Sequence, residues 1–329
     1  MPGILLCMNQ QIFSETTTAP PTAGVRIQRV EAIVNVAGGR VESGAAEELE
    51  ALVAEFGIAV HVASVEPKKI ETAVRHAVSA DPDLVVVLAG DGTARLAAQL
   101  CGAHGPLVAS LPGGTMNVLP NALYNGLSWR EALKASLSDG RIRPVAGGVV
   151  DGQAFYVAAI LGAPALWAPA REAVRNMELK AAWDKARHAL SHAFSRKLHF
   201  SLDDGPELKA EALAVMCPMV SRACEDETAF EAAALDPRGA ADAFRLGVNM
   251  LRGEWRSDPA VLADRCLRAH AWARRPVPCI LDGEMHVLGR RVEIEFKPTA
   301  FRALVPAGET NPNHGPSTSA SGPESASTR

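Results

Sequence analysis

Asp91 stands inside a glycine turn, Leu88-Ala89-Gly90-Asp91-Gly92-Thr93, directly after the apolar run 84–88. A second turn, Leu111-Pro112-Gly113-Gly114-Thr115-Met116-Asn117, follows Leu107-Val108-Ala109-Ser110. Each falls where a buried strand should end and a helix begin. Glycines at such a junction let backbone N–H groups approach an anion, and the helix N-terminus adds a favourable dipole. An acid in the same turn would by itself repel phosphate. It has a purpose beside a metal ion, or beside a hydroxyl that must lose a proton. The two turns together point to phosphoryl transfer rather than to nucleotide binding alone.

Gly90-Asp91-Gly92-Thr93 followed by Pro112-Gly113-Gly114-Thr115-Met116-Asn117 resembles the diacylglycerol kinase catalytic family. That family holds bacterial diacylglycerol kinases, sphingosine and ceramide kinases and, more distantly, NAD kinases. Its first motif reads Gly-Gly-Asp-Gly-Thr and its second Pro-x-Gly-Thr-x-Asn. Asp282-Gly283-Glu284 and Asn35-Val36-Ala37-Gly38-Gly39 match two further motifs, in the same order. A single tetrapeptide is a weak signal, whereas four in order are a strong one. Three positions depart from the pattern: Ala89 replaces the first glycine, Val36 replaces a proline, and Arg95-Leu96 stand where the family commonly has Asn-Glu. If position 89 needs a positive φ, Ala is strained there by ~1 kcal/mol or more; if not, the change is harmless.

The resemblance implies an α/β nucleotide-binding domain with a parallel sheet, joined to an antiparallel, sandwich-like β domain, with the active site in the cleft between them. It implies ATP and Mg²⁺ as cofactors and a long-chain lipid hydroxyl as acceptor. Gly39, Gly90, Gly92, Gly113 and Gly114 would offer backbone N–H groups to phosphate. Thr93 and Thr115 would add hydroxyls, and Asn35 and Asn117 would face the nucleotide. Asp91 and Glu284 form the acidic pair. Glu284 is the candidate general base, while Asp91 would hold Mg²⁺ or assist the same proton transfer. Asp282 has a plainer reading, because Asp-Gly is a common hairpin turn.

The elements that must position these residues follow from periodicity. Apolar spacing at Leu49, Leu52, Val53 and Phe56 predicts a helix over 45–56, ending at Gly57. Strands are predicted at 33–36, 58–62, 84–88 and 107–110, with helices at 68–78 and 94–100. Short all-apolar strands alternating with helices imply a parallel sheet covered on both faces. Ligands bind such sheets at the carboxyl ends of the strands, where Asn35, Asp91 and Thr115 fall. From residue 141 the pattern turns strand-rich, with runs at 143–150, 154–161, 198–202, 208–217, 244–251, 277–281 and 287–296. Asp151-Gly152 reads as a hairpin turn. Helices are expected near 166–194 and 258–272. The resulting division is a flexible arm at 1–28, a nucleotide-binding domain at 29–140, a β-rich lipid-binding domain at 141–306 whose last segment, 301–306, returns to the first, and a disordered tail at 307–329.

The chain has 329 residues, 48% of them hydrophobic and 21% charged, with a net charge of −4. That balance describes a globular protein and argues against a nucleic-acid binder. No run of about 18 apolar residues exists, so no transmembrane segment is expected, and no signal peptide is evident. The six cysteines show no Cys-x-x-Cys, which suits free thiols in a cytoplasmic setting. His188 and His192 have metal-ligand spacing but no carboxylate between them, so two ordinary helix histidines are the better reading. The segment 170–197 is basic and amphipathic and could rest on an anionic membrane surface as a peripheral contact. Arg265, Arg268, Arg274 and Arg275 around Trp272 form a second basic patch. A homodimer stays open. The expected function is an ATP-dependent lipid kinase; the alternatives are a catalytically inactive lipid-binding homologue and a kinase of a soluble hydroxyl such as NAD.

Overall fold

The computed structural model describes residues 25–36, 39, 41–162, 197–221, 227–237, 239, 242, 245, 246, 249 and 254–308. Residues 170–196 of the basic segment, the expected helix near 166–194, His188, His192, residues 1–24 of the expected arm and residues 309–329 of the expected tail lie outside them. The first strands are β1 (Arg29–Asn35), β2 (Ala59–Val65), β3 (Leu84–Ala89) and β4 (Leu107–Pro112). They pair in parallel in the order β2-β1-β3-β4. Every residue of β3 is buried, as a strand flanked on both edges and covered on both faces must be. The covering helices are α1 (Ala45–Ala54), α2 (Ile70–Ser79), α3 (Asp91–Cys101), α4 (Val118–Tyr124) and α5 (Trp129–Asp139). Ala94, Ala97, Ala98 and Cys101 form the buried stripe of α3, the i, i+3, i+4, i+7 spacing of one helix face. The periodicity reading left α4 and α5 unassigned. The start of α5 is nonetheless written in Ser128 and Glu131, which cap each other's backbone N–H groups.

After β5 (Gly140–Val150) and β6 (Gln153–Phe155), the strands β7 (Ala158–Gly162), β10 (Ala212–Met216), β11 (Phe230–Leu235), β12 (Val261–Cys266), β14 (Val277–Leu281) and β15 (Glu284–Leu288) form an antiparallel sheet, in the order β12-β11-β10-β7-β14-β15. It faces β8 (Leu198–Leu202), β9 (Leu208–Ala210), β13 (Arg268–Trp272) and the first half of β16 (Arg291–Pro306). Phe155, Phe230 and Phe296 fill the space between, with ring centroids 5.7 Å and 5.0 Å apart.

β16 joins the two halves. Its register shifts between Lys297 and Phe301, a bulge that bends the strand. Ile294 and Phe296 therefore lie in the sandwich core, whereas Phe301, Ala303 and Val305 lie in the α/β core. Ala303 pairs in parallel with Val108 of β4, so the first sheet continues into the second half without a break. The buried Tyr124 hydroxyl donates to the Leu304 carbonyl at 3.0 Å and ties α4 to this strand.

Three expectations change. Val25 and Ile27 pack against the α/β core, so the arm is anchored before residue 28. The run 244–251, expected as a strand, is helical at Arg245, Leu246 and Asn249. Arg245 and Asn249, one turn apart, both donate to the buried Asp258 carboxylate, which requires helical spacing. The expected helix over 258–272 is instead the strands β12 and β13. β12 is an edge strand with exposed side chains, so backbone pairing to β11 fixes it rather than an apolar pattern. Among the described residues, no helix is long and apolar enough to cross a membrane.

Candidate active site

In the order β2-β1-β3-β4 the chain leaves β1 toward one edge and returns to the other side at β3. The crevice at the carboxyl ends of β1 and β3 is where such sheets take ligands. Asn35 ends β1, and Gly90 follows β3 as the N-cap of α3. Gly39 faces Thr115: a Cβ on Gly39 would lie 3.1 Å from the Thr115 hydroxyl. The first motif and the second glycine turn therefore border one opening.

The two glycine turns are pressed together. A Cβ on Gly113 would stand 2.7 Å from the Ala89 nitrogen, and one on Gly114 would stand 2.6 Å from the Gly90 Cα. Those neighbours are backbone and cannot move aside, which is why Gly-Gly is needed there. Asn117 locks the second turn. It is 1% exposed; its Oδ1 accepts from the Gly114 N–H at 2.7 Å, and its Nδ2 donates to the Gly114 carbonyl at 2.9 Å. Its φ of 52° is the left-handed conformation that Asn tolerates. Asn117 thus shapes the turn with the polar atoms that were expected to face nucleotide. Ala89 is an ordinary extended residue of β3, paired with Pro112 and without a positive φ. The missing first glycine therefore carries no strain.

Asp91 opens α3 and reaches across to α4, where its Oδ1 accepts the Leu119 N–H at 3.2 Å. Burial pushes its carboxyl above the ordinary Asp value. The N–H groups of Leu119, Val118 and Asn117 pull it back, and the charge of Glu284 adds a smaller upward push.

Glu284 arrives from the far end of the chain on the β14–β15 hairpin. Asp282 and Gly283 form its two-residue turn, both with positive φ (46° and 91°), as tight hairpins require. The Asp282 side chain does more than close its own turn. Its carboxylate is buried and accepts the N–H groups of Tyr156, Val157 and Ala158 at 2.8–3.0 Å, fixing the hairpin to the stretch between β6 and β7. Burial raises its carboxyl and those three N–H groups oppose the rise. The hairpin tip comes close to the second turn, with a Cβ on Gly283 lying 3.7 Å from Met116. Glu284 lies directly over Gly92, so that a Cβ there would overlap its Oε1. Arg95 donates to Glu284 Oε2 at 2.7 Å, and its other terminal nitrogen is 3.4 Å from His286 Nε2. Burial and the Arg95 charge hold His286 below the usual histidine value.

The structure thus gathers Asn35, Gly39, Gly90, Asp91, Gly92, Gly113, Gly114, Thr115 and Glu284 around one opening, with Thr93 on the first turn of α3. Residues 29–150 match the family model of the diacylglycerol kinase catalytic domain. The match runs from the first residue of β1 to the last of β5. A search of curated protein sequences finds no match. Solved structures share the fold over a wider span. A diacylglycerol kinase from Bacillus anthracis str. Sterne aligns with 85% of this chain and 97% of its own, at a TM-score of 0.60 and 14% identity. Two presumptive diacylglycerol kinases from the same organism align at TM-scores of 0.66 and 0.61 with 17% and 18% identity, covering 85% and 84% of this chain and 98% and 97% of theirs. At these identities the likeness establishes the architecture, including the β-rich half beyond residue 150.

Arg95 and His286 escaped the motif reading. Arg95 occupies a position where the family pattern has another residue, and its relevance follows only from helix phase, four residues after Asp91. His286 shares a strand face with Glu284 at i, i+2. Of the second basic patch, Arg265 lies on β12 of the antiparallel sheet and donates to Thr228, whereas Arg268 lies on β13 of the first sheet.

Proposed function

We propose that this protein is an ATP- and Mg²⁺-dependent lipid kinase that transfers the γ-phosphate to a hydroxyl of diacylglycerol or a related long-chain lipid. The observation that carries the reading is the placement of Glu284 over Gly92, which brings an acid from residue 284 onto the phosphate-type turn that follows β3. Gly90, Gly92, Gly113 and Gly114, with Thr93 and Thr115, hold the phosphates through backbone N–H and hydroxyl donors. Glu284 accepts the proton of the attacking hydroxyl, and it is exposed enough for a substrate to reach it. Asp91 keeps α4 docked against the first turn and contributes a second carboxylate near Glu284.

Two carboxylates at one opening, completed by substrate phosphates, are a donor set that suits Mg²⁺. Among the described residues no cluster of three or more His, Cys, Asp or Glu side chains forms a cage, so the ion would come with the nucleotide. When bound it neutralises charge on the phosphates. The domain boundary near residue 140 and the lipid-binding role of residues 141–306 belong to this reading. The inactive-homologue alternative loses the support of Ala89, which sits without strain in β3.

The test is to incubate the purified protein with γ-labelled ATP, Mg²⁺ and mixed micelles of diacylglycerol, ceramide, sphingosine or monoacylglycerol. Label in one lipid supports the reading and names the acceptor. Label in NAD and in none of the lipids overturns it, and firm lipid binding without turnover points to the inactive homologue.

A further inference from the structure

Arg95 is the cation onto which the hairpin closes. Its side chain is 16% exposed, whereas that of Glu284 is 46% exposed. The guanidinium is therefore fixed by packing on α3, and the carboxylate is the partner free to leave. A guanidinium presents the same fork of donors to a carboxylate and to a phosphate, and binds each through paired hydrogen bonds. Glu284 takes one arm of that fork through a single 2.7 Å hydrogen bond, the other terminal nitrogen lying 3.4 Å from His286 Nε2, and it lies over Gly92, on the approach that an anion would take to the first glycine turn. A triphosphate arriving there brings negative charge toward Asp91 and Glu284 and needs a matching cation at that point. While Glu284 is held by Arg95, one of its two oxygens is also occupied.

We propose that Arg95 exchanges partners during turnover: it holds Glu284 while the site is empty and passes to the terminal phosphate of a bound nucleoside triphosphate, freeing Glu284 to turn to the acceptor hydroxyl. The proposal rests on the kinase reading above. In the transfer step the acceptor oxygen bonds to the terminal phosphorus as the bond from that phosphorus to the bridging oxygen breaks. The nucleoside diphosphate leaves with that electron pair, and the acceptor's proton goes to Glu284. Arg95 stays protonated throughout and stabilises the charge on the phosphoryl oxygens.

The exchange is read from affinities for ATP, ADP and AMP, measured calorimetrically with Mg²⁺ and without lipid, for the wild type, Arg95→Ala and Arg95→Lys. Circular dichroism checks the fold of each. Loss of a charge-assisted contact to the terminal phosphate should weaken ATP about 10- to 100-fold in Arg95→Ala and leave AMP unchanged. Arg95→Lys keeps the charge without the fork and should fall between. If Arg95→Ala binds all three nucleotides as the wild type does and loses only kcat, Arg95 merely positions Glu284 and the exchange is wrong. An equal loss for ATP and AMP also overturns it. If the wild type itself binds ATP and labels no hydroxyl substrate, the kinase reading fails whatever Arg95 does. If the wild type labels lipid and Arg95→Ala binds ATP normally, only the exchange fails.

Discussion

Gly92→Ala separates the architecture of the site from its chemistry. The added Cβ would overlap Glu284 Oε1 and stand 3.2 Å from its Cδ. Reaching ordinary van der Waals contact requires the carboxylate to move by roughly 1 Å. The group that must move is the end of a flexible, half-exposed side chain, so the backbone can stay where it is. Residue 92 is helical, and Ala gains up to ~1 kcal/mol over Gly in a helix interior. The displaced carboxylate loses its 2.7 Å contact with Arg95, which for an exposed ion pair costs about 0–1 kcal/mol. The two effects nearly cancel, leaving stability within about 1 kcal/mol of the wild type. The added Cβ also stands where the phosphate must approach the first glycine turn, and a reacting group displaced by 1 Å costs on the order of 100-fold in rate. The assay is an initial-rate measurement with a labelled lipid acceptor, alongside a urea melt. A variant of unchanged stability that keeps its rate within threefold would refute the first glycine turn as the place where the phosphate docks. A large loss of stability would refute the geometry.

Asp91→Asn keeps an oxygen for the Leu119 N–H, so the fold should persist while transfer is lost; a near-wild-type rate would remove Asp91 from the mechanism. Asp282→Ala leaves the N–H groups of Tyr156, Val157 and Ala158 without their acceptor, and at ~1–3 kcal/mol for each orphaned group the melting midpoint should drop steeply. Glu211 is 6% exposed with its Oε2 unpartnered, and burial raises its carboxyl from 4.5 to about 7. The folded state therefore binds a proton that the unfolded state has lost between these values, so stability falls as pH rises through that window, by about 3 kcal/mol in total. Glu211→Gln should accordingly gain stability relative to the wild type at pH 8 more than at pH 5, and thermal melts at the two pH values will show whether the difference exists.

The glycine turns were legible because both their residue types and their place after apolar runs carry information. Their mutual contact was not, since the closeness of Gly113 and Gly114 to Ala89 and Gly90 depends on the neighbouring register of β3 and β4. Ala89 could be settled only by its backbone, because the sequence cannot say whether position 89 needs a positive φ. The β-rich half was recognised as such, yet 244–251 and 258–272 exchanged types. An edge strand such as β12 shows no alternation, and Leu246 is drawn to the sheet by a helix that Asp258 anchors from outside the run. Asp282 was read correctly as a turn residue and incompletely as a structural one. Its partners lie more than 120 residues upstream, beyond any local pattern. Arg95 was visible only as a departure from a motif, and its contact with Glu284 required the hairpin to be in place.

The central claim is that Glu284 and the glycine turns form one phosphoryl-transfer site. The most direct measurement compares lipid phosphorylation by the wild type and Glu284→Gln under saturating γ-labelled ATP, with ATP affinity measured on the same preparations. The account predicts Mg²⁺-dependent labelling of a long-chain lipid by the wild type, a rate at least 100-fold lower for Glu284→Gln, and ATP affinity that is not weakened. Equal rates for the two proteins, or a folded wild type that binds ATP and labels no lipid, would contradict it.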